Sequence, residues 1–392
     1  MSARERTSGT ARRTADSSHA SRTESVHVLL GAAGGGIGLG IGAVFLRGTA
    51  PLAGSGSIGQ VAALSVFGCA GVTAAVVLST LTRRSLPWFG GHHRWRRMLD
   101  VGGLSLVYGL LGLFLTGALF AVFQKSFQGV ALDRVAGTFW VAAASAAGAY
   151  IASASAAGLT GRSLATLLAV FVTVGVLASA MNAPGPYWWE RYFSELGEGQ
   201  DLASLTFNIT LLLTGVALLT VVEFLAHDLD RWARASHQPH WTIATVRSLL
   251  SAVGVLVALV ALISRTVSVF WHDVVAQLLV VVFGLTLLLV PVLLRRLPGA
   301  LLWITAAAFA LLVTVIVLYL GVDYLNMTAF EMGAAAIVYI WLLLFIRTVS
   351  AAAEGTPMPA DAVTAAGDAG SEPGDCPDRD AAPGTGREDM GR

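Results

Sequence analysis

Ten uninterrupted apolar runs dominate this chain, near 26–46, 58–82, 101–123, 135–158, 164–182, 203–226, 244–263, 273–294, 299–320 and 329–346. Each has about the 20 residues a helix needs to cross a hydrocarbon core. The runs are continuously apolar, without the ten-residue alternation of barrel strands, and a helix satisfies its own backbone hydrogen bonds in lipid. Of the 392 residues 55% are hydrophobic and only 12% charged, too little polar material to coat a water-soluble globule of this size. The expected fold is therefore all-α, a polytopic transmembrane helix bundle of about ten spans.

The basic residues orient that bundle. Arg83, Arg84, Arg94, Arg96 and Arg97 crowd one loop, and Arg162, Arg231, Arg234, Arg247, Arg295, Arg296 and Arg347 fall on the same side if spans alternate. The opposite loops hold only Arg47, Lys125, Arg134, Arg191 and Arg265, so about twenty of the 25 basic residues share one face, which the positive-inside rule assigns to the cytoplasm. Both termini then lie in the cytoplasm. Residues 1–25, with Arg4, Arg6, Arg12, Arg13 and Arg22 among Ser, Thr and Ala, read as a disordered cytoplasmic tail rather than the n-region of a secretory signal. From about 351 onward Ala, Gly, Pro, Asp and Glu predominate, which predicts a disordered acidic tail. The abundance of Ala, Gly and Arg suggests a GC-rich bacterium, and hence the cell (inner or plasma) membrane.

Several chemistries drop out. Cys69 lies in an apolar run and Cys376 in the polar tail, so neither a disulfide framework nor a cysteine metal site is expected. No HxxxH or HExxH occurs, and no metal, cofactor or nucleic-acid partner is implied. The first span carries Gly31, Gly34, Gly35, Gly36, Gly38, Gly40 and Gly42, but no strand precedes it, so a dinucleotide loop is not expected. Gly31/Gly35, Gly34/Gly38 and Gly38/Gly42 have GxxxG spacing, which bares a smooth helix face for close packing. The Ala- and Ser-rich fourth span has the same character and should also sit inside the bundle. His92 and His93, beside Trp88 and Trp95 among arginines, read as a topology determinant at the headgroup level.

Polar candidates gather on the basic-poor face. The loop from Asn182 to Asp201 packs Tyr187, Trp188, Trp189, Tyr192 and Phe193 beside Glu190, Glu195, Glu198 and Asp201. Asp201 is placed to cap the sixth span, whereas Glu195, between Ser194 and Gly197, has no such account. The eighth span opens with Trp271, His272 and Asp273, and Gln277 follows one turn later on the face of Asp273. Asp323, Tyr324 and Asn326 lead into the tenth span, where Thr328 and Glu331 have the spacing of a capping box. On the sixth span, Glu223 lies near the cytoplasmic end and within reach of the interface, while Asn208 intrudes two turns into the outer half.

The stretch FSELGEGQDLASLTFNITLLLTGVALL at 193–219 resembles the start of the Frag/DRAM/Sfk membrane proteins and the related bacterial domain-of-unknown-function family 998, with their "SELG" or "SDTG" loop and "FN" opening. FWHDVVAQ at 270–277 and FEMGAAAIVYIWLLLF at 330–345 resemble the family's later His-led span and Glu-led last span. The resemblance covers about 164–346, six spans, and falls on Ser194, Glu195, Gly197, Asn208, His272 and Glu331. Met332 stands where eukaryotic relatives often have Trp, and four further spans precede the module. The chain thus divides into tail 1–25, a four-span section 26–160, a six-span module 161–350 and tail 351–392. The resemblance implies a lipid context rather than a reaction.

The reading preferred from sequence is a non-catalytic membrane protein that binds or organises lipid, or steadies a membrane-protein partner. Its outer-leaflet site would comprise Trp188, Trp189, Ser194, Glu195, Gly197, Asn208, His272, Asp273, Gln277 and Glu331. An alternative is a lipid-modifying enzyme with His272 as general base, oriented by Glu195 or Glu331. A secondary transporter is a third reading, which would place acids near the midplane beside broken helices; Pro291 is the one proline well inside a span.

Overall fold

The computed structural model describes residues 3–85, 94–236, 238–294 and 299–354, with side chains over 23–80, 94–234, 238–294 and 299–353. Trp88, His92, His93, Arg295, Arg296, the side chains of Arg83 and Arg84, and the acidic stretch from 355 lie outside the described residues.

Ten long helices account for all ten apolar runs. In order they are α1 (Ala3–Phe45), α2 (Ile58–Ser85), α3 (Arg94–Ser126), α4 (Arg134–Ala157), α5 (Gly161–Met181), α6 (Leu202–Ser236), α7 (His240–Leu262), α8 (Val269–Leu293), α9 (Gly299–Leu320) and α10 (Met327–Glu354). The protein is an integral, multi-pass membrane protein. An even number of alternating helices puts both ends of the described chain on one face, called here the terminal face; the other is the far face. Large apolar side chains such as Leu29, Ile37, Trp303 and Leu311 are exposed on the bundle's flanks, as expected where lipid is the solvent.

Two helix ends differ from the sequence reading. α1 is helical back to Ala3, where a tail without regular structure was expected. Once the span has nucleated a helix, each added residue gains a hydrogen bond without paying nucleation again, and Ala and Arg propagate it readily. α10 likewise continues past 351 to Glu354, and Ala353 is buried. There it runs beside the projecting end of α6, whose Leu229, Trp232 and Ala233 are buried, and the Ser350 hydroxyl donates to Asp228 at 2.8 Å.

Small residues set the closest helix contacts. A Cβ added to Gly34 would lie 2.6 Å from that of Ala149, one on Gly38 2.6 Å from Ser145 Oγ, and one on Gly42 2.9 Å from Thr138 Cα, whereas Gly36 and Gly40 meet nothing within 4 Å. The GxxxG face of α1 is thus the seam with α4, and the other glycines face outward. Polar pairs tie the same region: the Ser65 and Ser145 hydroxyls at 2.7 Å, and His27 Nδ1 with the Ser153 hydroxyl at 3.1 Å. A second close crossing, not expected from sequence, joins α6 to α7, where a Cβ on Gly215 would come within 2.6 Å of the Gly254 carbonyl oxygen. On the far face the α1–α2 and α3–α4 loops pair as two short antiparallel strands, β1 (Ala50–Pro51) and β2 (Ala131–Leu132).

α3 joins the four-helix section to the other six helices. Near the terminal face Arg96 of α3 and Arg247 of α7 both donate to Glu223 of α6, at 2.8 and 2.9 Å. Thr220 donates to Asp100 at 2.8 Å. Glu223, expected to reach the interface, is instead 6% exposed, because two guanidiniums from neighbouring helices neutralise it in place.

The α1–α4 seam makes a direct prediction. Gly38→Leu should destabilise the detergent-solubilised protein by about 1–3 kcal/mol through overpacking, while Gly40→Leu should leave it within about 0.5 kcal/mol; thermal unfolding of the two variants checks this.

Candidate functional site

The 182–201 loop is held down by a carboxylate from the last helix. Two short 3₁₀ turns, Trp188–Glu190 and Phe193–Gly197, shape it. The Phe193 and Ser194 amides both donate to Glu331 Oε2, at 2.6 and 3.1 Å, and the Ser194 hydroxyl donates to Oε1 at 3.2 Å. Three donors on one carboxylate make a strong, charge-assisted anchor. The expected Thr328–Glu331 capping box is therefore not formed. Asn326 caps α10 by accepting the Ala329 amide at 2.8 Å, and Thr328 Oγ1 is buried without a hydrogen bond. The glutamate serves instead the part-buried Phe193 and Ser194 amides, which have no partner in the loop itself.

Two further contacts fix the loop. Asn208 Nδ2 donates to the Gly197 carbonyl oxygen at 2.9 Å. A Cβ on Gly197 would lie 2.7 Å from Asn208 Oδ1 and 2.9 Å from the Phe207 ring, so glycine is needed for this approach. Asp201 accepts the Ser204 amide at 2.8 Å, the capping role expected of it. Phe193 packs edge-on against Phe207 at 5.4 Å, and Trp188 tilts over Phe193 at 6.3 Å.

Arg265, between α7 and α8, adds an ionic strap. Its Nη1 donates to Asp273 at 2.5 Å, its Nε lies 3.2 Å from Glu198 without hydrogen-bond alignment, and its guanidinium sits 4.4 Å from the centre of the Tyr192 ring. Tyr192 in turn donates to Glu198 at 2.9 Å. Burial, then the acceptor carboxylate of Glu198, push the Tyr192 hydroxyl above the usual phenol range, against the opposing pull of Arg265. It stays protonated and remains a donor.

Beneath this lid lies a cavity of about 800 Å³. Tyr192, Phe193 and Ser194 roof it; Arg265, His272, Asp273, Gln277 and Glu331 ring its mouth; Leu211, Val257, Val280, Ile316, Ala335 and Val338 line the shaft. Its deepest lining residues are Leu218, Phe283, Leu312 and Leu342. Phe283 packs edge-on against Trp341 at 5.6 Å, and Trp341 donates to Thr305 at 3.1 Å. Beyond this floor Leu287, Val290, Phe345, Ile346 and Val349 fill the terminal half of the bundle, all at most 2% exposed. From Glu331 to Leu342 is eleven residues of α10, or about 16 Å at 1.5 Å per residue, close to half of a ~30 Å hydrocarbon core.

Of the residues singled out in sequence, Ser194, His272, Asp273, Gln277 and Glu331 meet at this cavity. Gly197 and Asn208 brace the loop from behind. Trp188 packs behind Phe193, whereas Trp189 is half exposed, and its indole donates to the Pro186 carbonyl at 3.1 Å. Glu195 stands apart from the cavity, 3.5 Å from the exposed Arg191, with its buried Oε2 lacking a hydrogen-bond partner. His272 is oriented by neither glutamate: its Nδ1 bonds the Ile263 carbonyl oxygen at 2.7 Å. Sequence reasoning gave Arg265 no site role, although its position as one of five basic residues on a basic-poor face was a usable signal. Among the described residues no group of three or more His, Cys, Asp or Glu is arranged to hold a metal ion. Comparison with protein-family models, curated proteins and solved structures finds no match.

Replacing Glu331 by Ala should speed amide hydrogen exchange at 192–198 by at least about tenfold, reflecting loss of roughly 1.5–3 kcal/mol of charge-assisted bonding. Glu331→Gln, which keeps an acceptor oxygen, should have a smaller effect. Exchange mass spectrometry on both variants checks the order.

Proposed function

We propose that this protein binds a membrane amphiphile, with its chain in the shaft between α6, α7, α8, α9 and α10 and its polar end at the mouth beneath the aromatic loop. The observation that carries this reading is the cavity itself: apolar for about one leaflet's depth, with polar side chains at one end and large buried side chains beyond the other. Its volume of about 800 Å³ falls in the ~300–1,000 Å³ range of small-molecule pockets. The bias of basic residues makes the terminal face cytoplasmic and the mouth extracytoplasmic, so the ligand would enter from the outer leaflet of the cell membrane.

The resemblance to the Frag/DRAM/Sfk proteins supports a lipid role for the six-helix part. Its motif residues, scattered over 137 positions from Ser194 to Glu331, form bonded pairs: Ser194 with Glu331, and Gly197 with Asn208. The catalytic alternative draws on His272, whose Nδ1 is engaged so that Nε2 remains for proton transfer. Transport is least supported, since among the described residues the side chains beyond the shaft's deepest lining, Leu287, Val290, Phe345 and Ile346, are at most 2% exposed.

Lipids co-purifying with the protein in mild detergent, measured by mass spectrometry against bulk membrane lipid, test the reading. Selective enrichment is expected, and Ala335→Trp, which fills the shaft, should reduce it by at least about tenfold while the protein remains monodisperse. An unselective lipid profile in the parent protein would contradict binding. Products absent from the membrane extract would instead favour catalysis.

A further inference from the structure

The mouth of the cavity also specifies the polar end of its ligand, an inference that rests on the amphiphile-binding reading above. His272 is 4% exposed, and its Nδ1 lies 2.7 Å from the Ile263 carbonyl oxygen. A carbonyl only accepts, so Nδ1 must carry the proton, and in the neutral imidazole Nε2 is then a bare acceptor. Among the described residues nothing bonds Nε2, and the ring lines the cavity. Nε2 thus faces the cavity as a free acceptor, which suits a ligand that donates.

Two further acceptors lie at the mouth. Asp273 and Glu331 carry carboxylates, the first paired with Arg265 and the second bonded to the loop, and Gln277 adds a carboxamide that both donates and accepts. The basic side chain at the mouth, Arg265, is hydrogen-bonded to Asp273, ion-paired with Glu198 through an Nε that makes no hydrogen bond, and stacked on Tyr192. A phosphate or sulfate placed here would meet two carboxylates and a lone pair, with the one guanidinium occupied.

We infer that the site selects a single-chain amphiphile whose polar end is a hydrogen-bond donor, a hydroxyl or a primary ammonium, received by His272 Nε2 beside Asp273 and Glu331. The chain then runs down the shaft toward Phe283. A hydroxyl needs only the acceptors, while an ammonium also gains from the carboxylates.

Native mass spectrometry of the full-length protein in detergent, titrated with hexadecan-1-ol, hexadecylamine, methyl hexadecanoate and hexadecyl sulfate, tests this. The alcohol and amine should bind about tenfold more tightly than the ester and the sulfate, which only accept, consistent with one retained hydrogen bond. His272→Phe keeps a ring in place and should erase that preference while ester binding persists, which also reports an intact shaft. Asp273→Asn should weaken the amine more than the alcohol, because only the ammonium gains from the carboxylate's charge; an equal effect on both would contradict the part given to Asp273. Ester or sulfate binding as tight as alcohol binding, or a preference that survives His272→Phe, overturns the inference but leaves the cavity reading intact. Failure of all four probes to bind overturns the cavity reading itself.

Discussion

A backbone amide at membrane depth has no water to fall back on, and this constraint governs everything else in the molecule. Helices meet it internally, which is why the ten spans are regular and the connections are pushed to the two faces. Like the α1–α2 loop, whose Leu52 and Ala53 amides donate to Gln124, the 182–201 loop is irregular backbone that bears on the bundle. It is tolerated because Glu331 collects the Phe193 and Ser194 amides and Asn208 collects the Gly197 carbonyl. By holding the loop against the far end of the cavity, the same contacts place Tyr192, Phe193 and Ser194 in its lining. One electrostatic anchor thus links backbone satisfaction to site architecture.

The two halves of the bundle achieve stability differently. Around α1 and α4 it comes from backbone proximity, with glycines removing the Cβ atoms that would hold the helices apart. Around α8 to α10 the terminal half is filled by large side chains such as Phe283, Trp341 and Phe345, while the far half is left open. Between these regions the Glu223 carboxylate joins α3, α6 and α7 through two arginines. A buried carboxylate held in this way fixes relative placement, because removing its arginine partners would leave its charge uncompensated.

Much of this was legible in sequence. Helix number and position follow from apolar run length, a local property, and the glycine seam follows from i, i+4 spacing on one helix. The roles that depended on distant partners were not legible. Glu331 fits a capping box by spacing, and only the three-dimensional position of the Phe193 and Ser194 amides shows why it leaves that role. Glu223 looked like an interfacial acid because its two arginines lie 127 and 24 residues away. Arg265 passed as one basic residue in a short loop, since its importance comes from Glu198, Tyr192 and Asp273 converging on it. Local pattern fixes where helices are; competition among distant polar partners decides what the polar side chains do.

The central claim is that the far half of the bundle holds a blind, leaflet-deep chamber suited to one amphiphile. A cryo-electron microscopy map of the protein in nanodiscs of native membrane lipid tests it most directly. The account predicts elongated density from the His272–Glu331 mouth to the Phe283–Trp341 floor, with the 182–201 loop closed above it. A chamber collapsed onto its own side chains, or one continuous through to the terminal face, would contradict it.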